Sequence, residues 1–241
     1  MSTELIFDYS ERQKRIKEKK QALLAWLADF TWTTPELAGQ VMGLRTRAGT
    51  NKTLKRLEAE QLIKEAFISL ADNRDLRVIG ITPNGLLWCD NSPTAIDKVS
   101  FDPNRVAQST IIHRLDVQRC RIKLGNHGSK WISENSYPKH VTYRPDAIFQ
   151  TSGKTIALEL ERTAKTKKRY QQIIVQHLRQ INQGIYEQVH YVSTIEGFAE
   201  RLERLFFSIT RVPVKGQQIL FSDDLKPVSY THLTLPTIYS V

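Results

Sequence analysis

The sequence predicts a two-domain chain that mixes helix and strand throughout, α+β in its first part and α/β in its second. Three observations carry this. Residues 11–89 read as three helices, two strands and a last short helix. A stretch rich in Pro, Asn, Ser and Asp follows, without periodicity. Beyond it the strand-like TIALELE runs into an amphipathic helix and then into EQVHYVST, a second strand. A strand–helix–strand step implies a parallel pair and a right-handed crossover.

The first helix is expected over residues 11–30, with an apolar stripe at Ile16, Leu23, Leu27 and Phe30. In TWTTPELAGQVMGL, Thr34 suits an N-cap, Pro35 the first helical position and Glu36 the positive helix end. Gly43 allows a turn, and a third helix is read across TNKTLKRLEAEQLI with Leu54 and Leu57 facing inward. LIKEAFISL and LRVIGIT are β-type runs joined by the turn-rich ADNRD. A short helix starting at Thr82-Pro83 carries Leu86, Leu87 and Trp88. This is the order of a winged helix-turn-helix, placed at residues 1–90 with ADNRD as the wing tip. From Gly43 to Leu57 the cations Arg45, Arg47, Lys52, Lys55 and Arg56 are interrupted by no acid. A recognition helix needs that character, because phosphate contacts dominate affinity and seat it in the major groove. The competing reading, a solvated basic face mediating protein contacts, lacks a reason for the acid-free gap to fall on this helix.

Residues 91–103 are read as the linker and 104–226 as the second domain. That domain opens with a helix from about Asn104 to Leu124, its apolar positions Ile111, Ile112, Leu115 and Ile122. WISE is a short strand ending in Glu134, and VTYRPDAIF a second strand with Asp146 near its middle. In TIALELE, alternation puts Ile156, Leu158 and Leu160 on a core face and Ala157, Glu159 and Glu161 on the other. The helix from about Thr166 to Gly184 has its stripe at Tyr170, Ile173, Ile174, Leu178 and Ile181, and GFAERLERLFFSI closes the pattern as a helix. KPVSYTHLTLPTIYSV departs from everything before it; residues 227–241 are read as a non-native read-through tail and set aside from the fold.

The chemistry lies between Arg144 and Tyr170. Asp146 precedes Glu159 by thirteen residues, and Arg162, Lys165, Lys167, Lys168 and Arg169 follow at once. Carboxylates beside clustered cations are what metal-assisted attack on a phosphodiester requires: hard oxygens hold Mg²⁺, and cations hold the phosphates. Alone, a Glu-x-Glu beside a basic helix is ordinarily a salt-bridged surface; the earlier Asp and the strand order favour the metal. Glu134 is a further ligand or a surface acid, and His113 packs on its helix. Tyr170 lies on the apolar stripe, with a nucleophilic role as the alternative.

The order α-β-β-β-α-β, with an acid on the second strand and E-x-E on the third, resembles the restriction-endonuclease-like PD-(D/E)xK nuclease core. Pro145-Asp146 stands for its first half and Glu159-Leu160-Glu161 for its second. The family's lysine position holds Glu161; Lys165, four residues on, is the substitute cation. With the front domain, HRLDVQRCRIKL, WISE, RPDAIF and IALELERTAKTKKRY extend the resemblance, over roughly residues 10–210, to the replication-relaxation family of plasmid proteins. That family includes the MobC-type mobilisation relaxases. The resemblance implies conjugation or plasmid mobilisation: a protein that binds double-stranded DNA at a plasmid origin and nicks or relaxes it, among relaxosome or coupling proteins. It implies Asp146, Glu159, Glu161 and Lys165 as catalytic residues, the three acids as Mg²⁺ ligands, and Arg162, Lys167, Lys168 and Arg169 as DNA contacts. The alternative is an origin-binding or regulatory protein with a degenerate nuclease domain. Relaxases with a paired-histidine metal site need His-x-His, and none of the six histidines is so spaced.

The bounds agree. Residues 1–95 hold 14 basic and 12 acidic residues, net +2, whereas 96–241 hold 21 and 13, net +8, within a total of +10. A polyanionic partner is expected. Two cysteines without C-x-x-C, no cationic-then-apolar start and no apolar run approaching a membrane span point to a reduced, cytoplasmic compartment without membrane insertion.

Overall fold

The computed structural model describes residues 8–89, 99–125, 128, 130–132, 143–221 and 228–232. The chain divides into two compact units, Met1–Leu115 and Asp116–Val241, and its described residues mix helices with three small sheets.

In the first unit α1 (Tyr9–Phe30) starts where the Asp8 carboxylate accepts from the Ser10 amide. It buries Leu23, Leu24, Trp26 and Leu27, while Ile16 and Phe30 stay half-buried at the edge of the stripe. A two-residue strand β1 (Trp32–Thr33), too short to read from sequence, leads into α2 (Pro35–Val41), capped by Thr34 as expected. The chain turns at Gly43 (φ 63°) into α3 (Arg47–Ala59). This helix begins three residues before the expected start, because the Thr46 hydroxyl accepts from the Gly49 amide. Its buried face is Thr50, Leu54 and Leu57. It crosses α2 closely: a Cβ on Gly39 would stand 2.7 Å from Oγ1 of Thr50, so only glycine permits this approach. Then β2 (Ile63–Ser69) and β3 (Asp75–Ile81) form an antiparallel hairpin, and β1 joins β3 to give the order β1-β3-β2. The helix α4 (Pro83–Cys89) buries Leu86 and leaves Leu87 exposed.

The first unit extends past the expected linker. Phe101 is 2 % exposed, its ring so close over Gly80 that a Cβ there would lie 1.9 Å from it, and its amide donates to the Ile81 carbonyl. Residues 104–110 form two short 3-10 turns instead of helix, and α5 runs Ile111–Gly125. Pro103 and the Asp102 side chain, which accepts from the Asn104 amide, close a local turn that competes with the α-helix.

The second unit is built on a sheet of order β10-β7-β6-β5-β4. Its strands are β4 (Lys130–Ile132), β5 (Ala147–Thr151), β6 (Lys154–Leu160), β7 (Gln188–Ser193) and β10 (Val228–His232). The pairs β4–β5 and β5–β6 are antiparallel, β6–β7 and β7–β10 parallel. The crossover between β6 and β7 is α6 (Lys167–Asn182), capped by Thr166. After β7 come α7 (Phe198–Phe207) and a small hairpin, β8 (Arg211–Val214) with β9 (Gln217–Leu220). Two expectations are corrected. Asp146 immediately precedes β5 and does not sit within a longer strand. Val228–His232, set aside as tail, adds an edge strand to β7. The core joins Ala157, Ile148, Val189 and Tyr191 of the sheet to Tyr170, Ile173 and Ile174 of α6 and to Phe198, Leu202 and Phe206 of α7. No helix among the described residues is long and apolar enough to cross a membrane.

Candidate functional site

The basic run of the first unit lies where its exposure permits contact. Arg45, Arg47, Lys52 and Lys55 are exposed and carry no ion pair among the described residues. Arg56 is half-buried and partly spent on Glu60, 3.7 Å away. The helix that bears all of these but Arg45 is braced against the hairpin by Arg77, which donates to the Asn51 side chain (3.0 Å) and pairs with Glu65 (2.5 Å). Burial of Thr50, Leu54 and Leu57 turns the Lys52–Lys55 edge outward.

In the second unit β6 is buried on both faces: Ile156, Ala157, Leu158, Glu159 and Leu160 are all under 8 % exposed. The carboxylate face, expected opposite the core, itself carries Ala157 into the core with Tyr170, Ile173 and Ile174 of α6. Glu159 and Glu161 are therefore only 7 % and 3 % exposed. A charge so placed needs partners, and each has one. The Glu159 Oε1 atom accepts from the Tyr143 hydroxyl (2.9 Å) and stands 3.3 Å from Nε2 of His177. Nδ1 of His177 in turn meets the Tyr186 hydroxyl at 2.6 Å, and the Gln180 amide donates to the Tyr143 carbonyl. Glu161 is ion-paired to Lys165.

Asp146 joins this group through the sheet. Ala147 pairs with Leu158 in an antiparallel ladder, so one residue further Asp146 falls opposite Glu159, on the same face. Its Oδ2 accepts from the Leu160 amide at 2.7 Å, and it keeps partial exposure. On the other side of Glu159 the parallel register places Tyr191. Burial raises the Glu161 pKa; Lys165 pulls it back, while the charges of Glu159 and Asp146 add to the rise. Burial, with Glu159 beside them, also pushes the Tyr143 and Tyr191 hydroxyls well above their usual range. Tyr170 is fully buried, pushed up to about 12 by burial, and its hydroxyl meets the Lys165 amide, so it belongs to the core and is not poised as a nucleophile.

No family model matches the chain, and searches of curated proteins and of solved structures return no match.

Among the described residues no group of three or more His, Cys, Asp or Glu side chains is arranged to hold a metal ion. A three-carboxylate set is thus not assembled, since Glu161 is committed to Lys165. The carboxylates that the sheet register does bring opposite one another are two, Asp146 and Glu159. Glu134 lies outside the described residues, and His113 is half-buried on α5.

The expected DNA contacts of this unit divide. Arg162 is paired with Asp116, itself 3 % exposed and also held by Arg119. Lys167 donates to the Ser208 carbonyl and Arg169 to Gln172. Lys168 is exposed. Lys167, Lys168 and Arg169 occupy the first turn of α6 with no acid among them, at the end where the helix dipole disfavours cations.

Sequence reasoning missed Tyr143, His177, Tyr186 and Asp116. His177 sits on the stripe face of α6, four residues after Ile173, and a polar residue on an apolar stripe was the available signal. Besides Arg119 on its own helix, Asp116 has a partner 46 residues away, Arg162, beyond any local pattern.

Proposed function

We propose that this chain is a double-stranded-DNA-binding protein of plasmid mobilisation or replication, which nicks its origin at a Mg²⁺-dependent PD-(D/E)xK-like site. The observation that carries the catalytic half is the β5–β6 register, which faces Asp146 with Glu159 on one side of the sheet. Order and pairing support the fold assignment. Helix, strand, two helices and a hairpin, in the sheet order β1-β3-β2, fit a winged helix-turn-helix with α3 as recognition helix. The order α5-β4-β5-β6-α6-β7, with β5 antiparallel and β7 parallel to β6, fits the nuclease core.

Each residue then has a task. Lys52, Lys55, Arg45 and Arg47 meet phosphates and fix register. Asp146 and Glu159 would hold Mg²⁺, which when bound supplies Lewis-acid charge to the scissile phosphate and activates water. Tyr143 fixes the Glu159 rotamer, and the Leu160 amide fixes Asp146. Lys165 restores the missing motif lysine: its ammonium ends at the Glu161 carboxylate, the strand position where the motif carries the cation. Lys168 and the α6 first turn extend the positive field along the strand being cut.

A second reading, origin binding without cleavage, is favoured by the absence of a three-acid group among the described residues and by the prior engagement of every carboxylate. Nicking of supercoiled plasmid carrying a candidate origin, with Mg²⁺ and with chelator, separates the two: chelator-sensitive open circles support the first, tight binding without open circles the second.

A further inference from the structure

A second basic feature of the first unit is left unused by that reading. A groove of about 600 Å³ opens between α1, α3 and α4, lined among others by Lys14, Lys17, Lys20, Arg56, Glu60 and Trp88. Four cations there face one acid. Glu60 is shared, 2.5 Å from Lys20 and 3.7 Å from Arg56, which leaves Lys14 and Lys17 exposed and without ion pairs among the described residues. Trp88 keeps 39 % of its surface exposed and carries the Lys20 ammonium 4.5 Å above its ring. Lys14, Lys17 and Lys20 recur every three residues, so they follow one another along a face of α1.

Charge and the exposed ring select the occupant. Four cations against one acid suit a polyanion, and a duplex keeps its bases stacked inside and offers the Trp88 ring no free π-face. An unpaired strand does: each unstacked base offers a π-face to an aromatic ring, and its phosphates follow the cations. An acidic peptide would satisfy the lysines but carries no row of flat π-faces for the exposed part of the indole. We infer that the α1–α3–α4 groove binds single-stranded nucleic acid, with Trp88 as stacking platform and Lys14 and Lys17 as phosphate contacts. This holds whether or not the second unit cuts DNA.

The test is fluorescence anisotropy of the full chain with a labelled oligothymidylate and, separately, with a blunt hairpin duplex, across a salt series. Trp88→Ala should weaken the single strand roughly tenfold and leave the duplex within about twofold. Trp88→Phe should recover most of the loss, because a ring remains. Lys14→Glu with Lys17→Glu, both exposed and harmless to folding, should lower the single-strand salt slope by about 1.4, near 0.7 for each phosphate neutralised. Lys52→Ala with Lys55→Ala should do the reverse, weakening the duplex and sparing the oligothymidylate. Wild-type chain that fails to bind oligothymidylate, or Trp88→Ala that weakens both probes equally or neither, overturns the assignment. An unchanged salt slope in the double glutamate variant would do so too.

Discussion

Lys165→Ala isolates the energetics of the carboxylate site. Glu161 is 4 % exposed in its side chain and Lys165 38 %, so the substitution strands a buried carboxylate by removing a half-solvated partner. Breaking a fully buried pair costs about 3–5 kcal/mol. Water already screens this lysine, and discounting for that leaves about 1–2 kcal/mol at neutral pH. The pH dependence follows from the direction of the Glu161 shift. Its carboxyl is raised above the ordinary 4.5 chiefly by burial, and Lys165 is the main influence opposing the rise. A raised acid binds its proton more tightly when folded, so the native state loses stability as pH climbs from 4.5 through the folded pKa and is level above it. Removing Lys165 raises that pKa further. The cost should therefore be largest at neutral pH and shrink as pH falls through the raised folded pKa, because protonation removes the charge that Lys165 balances. Glu161→Gln should suppress most of the cost in the double variant. Urea unfolding at neutral and at acid pH, with hydrogen exchange read on peptides from 154–182, measures this directly. An equal cost at pH 4.5 and at neutrality, or no coupling to Glu161→Gln, would refute the reasoning.

Other outcomes follow from the same physics. Replacing Lys52 and Lys55 with Ala should weaken duplex binding and flatten its log–log salt dependence by roughly one unit for each phosphate that no longer meets a cation, read by anisotropy. Phe101→Ala should destabilise the first unit by about 3–5 kcal/mol in denaturant unfolding, because the ring is 2 % exposed. Gly80→Ala, which drives a methyl into that ring, should be less harmful when combined with it. Of the two thiols, Cys120 is fully buried with its pKa pushed up to about 12 by burial, whereas Cys89 is half-exposed. One thiol should react quickly with an aromatic disulfide reagent and the other only on unfolding.

The helix boundaries best read from sequence are those with local chemistry behind them. Thr34-Pro35 opens α2, Thr166 caps α6, and the apolar stripe of α6 runs close to its expected length. Strand alternation in TIALELE located the acids on a common face and gave the core to the opposite one. Alternation reports which residues share a face; it does not report whether a crossover helix covers it, and α6 does. The Phe101 segment looked like linker because Pro, Asn and Asp dominate it, while a single aromatic ring decides its place. The partners of the carboxylates are long-range: Tyr143 lies 16 residues from Glu159 and the Arg162–Asp116 pair spans 46. Such pairings follow from topology and leave no periodic trace.

The most direct measurement of the central claim compares wild type with Asp146→Asn on supercoiled origin plasmid, with Mg²⁺ and with chelator. The substitution keeps the shape of Asp146 and the oxygen that accepts from the Leu160 amide, and removes one negative charge. Duplex binding, which the proposal assigns to the first unit, should stay within about twofold. If the Asp146–Glu159 pair is the catalytic site, wild type yields open circles only with Mg²⁺ and Asp146→Asn yields none above background. Equal relaxation by the two proteins, or relaxation that persists in chelator, would contradict the account.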